Sequence, residues 1–97
     1  MKSTNEYLTL LRQYMDSHAG KYGIVRMGIF GSVARGQQTE NSDVDIYFEA
    51  PAPNLLTLAR IKFDLEALLG SRVDLVRLRD RMDEYLKRNI EKEALYV

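Results

Sequence analysis

The sequence predicts an α+β protein. Its small mixed sheet has three strands in the order 1-2-3, and its elements run α-β-(short α)-β-α-β-α with helices flanking the sheet. Three observations carry this. The apolar period switches along the chain between the three-to-four spacing of a helix and the strict alternation of a strand. A helix-length segment separates the strand candidates Val44–Phe48 and Arg72–Arg77, which calls for a parallel crossover. Only about a dozen residues join the first two strands, too few for a full crossover helix, so that pair is expected to be antiparallel. At 97 residues the expected organisation is one domain spanning 1–97.

From about Thr4 to His18, the residues Tyr7, Leu8, Leu11, Tyr14 and Met15 recur three and four apart and share one helix face. Ser3 with Glu6 makes a capping box at its start, and Gly20 is the expected stop. Ile24–Phe30 is β-branched and aromatic, a strand in which Gly28 admits a close neighbour. In Val44–Phe48 the residues Val44, Ile46 and Phe48 line one face, and Asp43, Asp45 and Tyr47 the other. Asn54 caps a helix to Leu69 whose stripe is Leu58, Ile61, Leu65 and Leu68, with Gly70 ending it. Arg72–Arg77 is a short strand. Asp80 is the expected cap of a last helix whose Met82, Tyr85, Leu86 and Ile90 face inward. The tail Leu95-Tyr96-Val97 is apolar and is expected to dock on the sheet or on a partner.

Composition narrows the chemistry. Fourteen basic and fourteen acidic residues cancel, which argues against a long nucleic acid or an anionic membrane as partner. Without cysteine there is no disulfide, thiolate nucleophile or zinc–thiolate site. The single histidine, His18, excludes a histidine-rich metal cluster and argues against a histidine-based triad; it reads as a solvated residue near a helix end. Apolar runs stay far below the roughly 20 residues that span a bilayer, and the first residues lack a signal-peptide core. A cytoplasmic protein is expected, with its chemistry left to carboxylates, hydroxyls or a bound metal.

Three aspartates stand out because they lie in strands, where Asp is disfavoured. Asp43 and Asp45 are two apart and project from one face, about 6–7 Å apart along the backbone. Asp74 lies in the following strand, and parallel pairing can bring it beside them. Taken singly, each also reads as a turn or surface residue. Taken together, three crowded carboxylates raise one another's pKa unless a cation neutralises them, and oxygen-only donors suit Mg²⁺ or Mn²⁺. Upstream, Phe30-Gly-Ser-Val-Ala-Arg-Gly36 ends a strand in a Gly31-Ser32 turn that opens a short helix, an anion-holding arrangement to which Arg35 can add charge. Arg35 can equally brace the loop.

Gly31-Ser32, ten residues, then Asp43-Val-Asp45 resembles the pattern of the DNA polymerase β-like nucleotidyltransferase superfamily. The longer strings Phe30–Gly36 and Ser42–Ile46 resemble its minimal, MNT-type members, and Val73-Asp-Leu-Val76 is similar to the strand bearing the family's third carboxylate. Ile90–Tyr96 resembles its closing helix. Gln38 departs from the family's small residue there, which touches only loop packing. The resemblance implies that Gly31 and Ser32 hold a nucleoside triphosphate, ATP, beside which Arg35 stands by its position as a further nucleotide-binding candidate. It implies that Asp43 and Asp45 ligate two Mg²⁺ ions and that Asp74 joins the metal site and orients or deprotonates the attacking hydroxyl. Stand-alone MNT proteins imply a partner, a HEPN-domain ribonuclease toxin in a hetero-oligomer, silenced by AMP placed on a tyrosine; the alternative is a non-catalytic antitoxin that neutralises by stoichiometric binding. Tyr47 is a candidate for lining the nucleotide site, whereas Tyr7, Tyr14 and Tyr85 are expected in the core. Arg77–Arg81 reads as a solvated loop and cap, with contact to phosphate or a partner as the alternative.

Overall fold

The computed structural model describes all 97 residues. In chain order the elements are α1 (Thr4–Tyr22), β1 (Arg26–Phe30), α2 (Gly31–Ala34), β2 (Val44–Glu49), α3 (Leu55–Leu69), β3 (Val73–Arg77), α4 (Glu84–Glu93) and β4 (Leu95–Tyr96). The sheet has four strands, not three, in the order β3-β2-β1-β4. The expected order of β1, β2 and β3 survives inside it. β1 and β2 are antiparallel, with Phe30 opposite Asp45. β2 and β3 are parallel, with Asp45 opposite Asp74. The extra strand is the apolar tail, whose Leu95 and Tyr96 pair antiparallel with Ile29 and Gly28. Ile90–Tyr96 is therefore helix only to Glu93, because Ala94 turns extended and the chain is captured by the free edge of β1.

The ends of α1 show where local signals compete. Ser3 and Glu6 close the capping box as expected. The helix then runs through Gly20 and stops at Gly23, which takes the left-handed conformation at φ 68°. Gly20 costs a helix only about 1 kcal/mol. Continuing allows Gly23 and Ile24 to return both their N–H groups to the Ala19 carbonyl. Asn54 and Gly70 bound α3 as the sequence implies. The cap of α4 is Asp83 rather than Asp80: its carboxylate accepts from the Leu86 N–H at 2.9 Å. Asp80 instead pairs with Lys87. Tyr85 is exposed, contrary to expectation. A helix that covers one narrow strip buries Ile90 and partly buries Leu86 one turn before it, and Tyr85, about 100° around from Leu86, points away.

The two sheet faces differ in how they are held. Val44, Ile46, Phe48, Met27 and Ile29 join Tyr7, Leu11, Tyr14, Ile61 and Leu65 in a core of fifteen buried residues beneath α1 and α3. The opposite face buries three, Phe30, Tyr47 and Ile90. At about 1.5–3 kcal/mol per large apolar side chain, the first face supplies most of the stability. The second, thinly covered face carries Asp45.

Candidate active site

Asp45 and Asp74 sit side by side because the parallel register places their Cα positions opposite one another, on strands that run roughly 4.8 Å apart. Asp45 is half-buried, while Asp74 and Asp43 are exposed. Asp43 lies just before β2 rather than in it. Its Oδ1 receives the Arg72 Nε at 3.3 Å. The same register makes this contact legible in retrospect: Val44 faces Val73, so residue 72 falls beside residue 43.

Loss of solvent raises the Asp45 carboxyl above the ordinary carboxylate range; the negative charges of Asp74 and then Asp43 push it further, and Arg35 opposes them. The charges of Asp74 and Asp43 thus both reach the Asp45 carboxyl. The three carboxylates are not drawn into a closed shell, and no three acidic or histidine side chains stand at ligating separations. The donor set still fits a hard divalent ion: it is all oxygen and anionic, and its central member is raised by like-charged neighbours that a cation would offset.

Gly31 opens α2 at φ 71°, and a Cβ there would run into the Asp45 carboxylate. Glycine is required twice over, for backbone conformation and for space. The N-cap, Phe30, has no side-chain oxygen to give to the helix start, so Gly31-Ser32 presents backbone N–H groups at the carboxylate end of the sheet. Thr4 pins the far side of α2, its hydroxyl donating to the Val33 carbonyl at 2.6 Å. Arg35 lies at the end of α2, and its guanidinium is engaged by Glu93 of α4 at 2.9 Å and by Gln37 at 3.0 Å. Glu93 has no sequence signal, standing 58 residues away.

Tyr47 shares the Asp45 face, as expected, but is fully buried. Its ring meets Tyr96 edge-on at 5.8 Å, and its hydroxyl lies against Tyr96 without reaching hydrogen-bond geometry. Burial, then Tyr96, raises this phenol well above its ordinary value. It props the sheet beneath β4 and does not line a nucleotide site. The Arg77–Arg81 run lies toward the other end of the strands, where Arg77 donates to the Ala50 carbonyl and Arg79 to that of Arg81.

The chain from residue 8 to 97 matches the family model described as "Nucleotidyltransferase domain". The chain belongs to that nucleotidyltransferase family. Protein adenylyltransferase MntA of Thermococcus cleftensis is 34% identical over 98 residues, covering 100% of this chain and 98% of that one. Among solved structures, a candidate minimal nucleotidyltransferase superposes with TM-score 0.79 at 38% identity, over 97% of this chain and 95% of that chain. A toxin–antitoxin crystal structure with AMP-PNP gives TM-score 0.72 at 26% identity, over 98% of this chain and 72% of that chain. The minimal nucleotidyltransferase fold therefore holds here, with Asp45 and Asp74 on neighbouring strands and Asp43 just ahead of β2. No helix of this nucleotidyltransferase is long and apolar enough to cross a membrane.

Proposed function

We propose that this nucleotidyltransferase moves AMP from ATP to a hydroxyl, a tyrosine, of a partner HEPN-type ribonuclease toxin and so acts as its antitoxin. The observation that carries the reading is the placement of half-buried Asp45 on β2 beside exposed Asp74 on the edge strand β3, with the Gly31-Ser32 turn packed against the Asp45 carboxylate. Cavities lie elsewhere, for instance between α1 and α3 beside Tyr14, His18 and Asp64. Asp74 is exposed and can meet an acceptor carried on another surface, which suits a protein side chain. MntA of T. cleftensis carries the adenylyltransferase name, and the toxin–antitoxin neighbour was crystallised with AMP-PNP.

In this scheme the N–H groups of the Gly31-Ser32 turn, the Ser32 hydroxyl and Arg35 hold the triphosphate. The acceptor oxygen attacks the α-phosphorus, an O–P bond forms, the bond to the bridging oxygen breaks and pyrophosphate leaves. Asp74 orients the acceptor hydroxyl and takes its proton. Asp43, Asp45 and Asp74 would hold Mg²⁺, two ions in all; Mn²⁺ suits the same donors. Such ions, when bound, offset the charge that develops on the attacking and leaving oxygens. For Asp43 to take part it must exchange Arg72 for the metal.

The existing ion pair of Asp43 with Arg72, which engages an expected metal ligand, favours one second reading, neutralisation by stoichiometric binding alone. The experiment is incubation with α-labelled ATP, Mg²⁺ and a HEPN-fold partner. Transfer of label that is lost in Asp43→Ala/Asp45→Ala supports the enzyme. Inhibition of the toxin that survives this substitution without labelling supports the binder.

A further inference from the structure

We propose that Glu93 is a positioning residue that holds Arg35 extended over the triphosphate site, a role that rests on the nucleotidyltransferase reading above. The geometry of the contact is the first ground. Arg35 donates from Nη1 to Glu93 at 2.9 Å and from Nε to Gln37 Oε1 at 3.0 Å, which fixes two edges of the guanidinium and leaves Nη2 without a protein partner. The arginine fork has five donors in fixed directions, so two anchored edges set where the remaining N–H groups point. A lysine at this position could not be aimed that way. Arg35 also opposes the carboxylate repulsion on Asp45, so its charge acts in the aspartate cluster.

The second ground is the asymmetry of the pair. Glu93 is the last residue of α4, and the chain is fastened on both sides of it. Before it, Ile90 is buried against Phe30 and Tyr47. After it, Ala94 donates to the Ile90 carbonyl, Leu95 and Tyr96 pair with Ile29 and Gly28, and Val97 donates to the Met27 carbonyl at 3.0 Å. Arg35, by contrast, reaches out on a flexible stem from a four-residue helix. Glu93 is the fixed end and Arg35 the end that is held.

The pair's exposure excludes a mainly structural role. The two side chains are 46% and 32% exposed, and ion pairs this accessible add little to folding stability. What they can do is order in advance a long side chain that would otherwise lose its rotamer freedom on meeting phosphate. The C-terminal helix and strand thereby serve the site from outside it.

The test measures the affinity of the full chain for magnesium-loaded AMP-PNP by calorimetry, and KM for ATP in AMP transfer, for wild type, Glu93→Gln, Glu93→Asp, Arg35→Ala and the double variant Arg35→Ala/Glu93→Gln. Glu93→Gln is expected to weaken binding and raise KM roughly three- to tenfold, with kcat and Tm little changed and Glu93→Asp recovering part of the loss. In the Arg35→Ala background Glu93→Gln is expected to add nothing, since its effect passes through Arg35. Unchanged affinity in Glu93→Gln overturns the role. Tighter binding also overturns it, because Glu93 would then compete with phosphate for Arg35. An additive double variant means Glu93 acts by another route and overturns it too. If Glu93→Gln proves unfolded, Glu93→Asp carries the comparison alone. If wild type binds no nucleotide, the nucleotidyltransferase reading itself falls, an outcome distinct from equal binding by wild type and variant.

Discussion

At Asp45 the fold holds a carboxylate half out of water beside two like charges, with Arg35 as the opposing cation. Its folded-state pKa lies above the ordinary 3.8. The folded protein therefore keeps this proton longer than the unfolded chain, so the site's contribution to stability is greatest at low pH and falls as pH rises through 3.8 to the raised value. Asp45→Asn should remove that penalty, raising Tm at neutral pH by about a degree or two while abolishing AMP transfer, as paired thermal melts and transfer assays would show. A Tm that drops would mean Asp45 stabilises the fold. Gly31→Ala meets both a positive φ and the Asp45 carboxylate, and should lose about 1–3 kcal/mol in denaturant melts together with activity. Some of this site was legible and some was not. Asp43, Asp45, Asp74, Gly31 and Ser32 could be singled out because Asp in a strand and a glycine turn after one are each locally unusual. Arg72 followed from register alone. Glu93 did not, because an ion pair across 58 residues leaves no trace in local pattern.

Two contacts decide how elements are joined. Between α1 and α3, Asp64 accepts from the Tyr14 hydroxyl at 3.1 Å and the Tyr22 hydroxyl at 3.4 Å, while His18 stacks on Tyr14 at 4.3 Å. Tyr14→Phe removes one donor and leaves the other, so it should cost about 1 kcal/mol in chemical denaturation without altering transfer. At the sheet edge, β4 closes β1 where Gly28 permits it: a Cβ there would stand 2.5 Å from the Leu95 carbonyl oxygen and 2.6 Å from the Tyr47 ring. Removing residues 95–97 should lower Tm, bare Tyr47 and open the β1 edge to pairing with other copies, seen as concentration-dependent self-association in light scattering. A truncated chain that stays monomeric with wild-type Tm would show that β4 contributes nothing to the sheet. Elements bounded by strong caps, such as α3 between Asn54 and Gly70, were legible in the sequence. The two-residue β4 was not legible as a strand, because only the free edge of β1 makes it one.

The whole molecule, 32 × 30 × 20 Å, puts most of its buried apolar surface under α1 and α3 and spends the other sheet face on carboxylates and a thin cover. Magnesium should be felt by this body as a ligand of the folded state. A rise in Tm with Mg²⁺ and AMP-PNP that disappears in Asp45→Asn is the expected result, following mass action on a site the unfolded chain lacks. The sequence by itself determined the element order, the mixed pairing of β1, β2 and β3, the three aspartates and the glycine turn. These rest on hydrophobic period, connection length and residue type, all of which act over a few neighbouring positions. Only the tertiary structure decided that the tail becomes a fourth strand, that Tyr85 turns outward while Tyr47 is sealed in, and that Arg35 is held by Glu93. Each of those depends on which surface is left open once the sheet has formed, and that is a property of the packed whole.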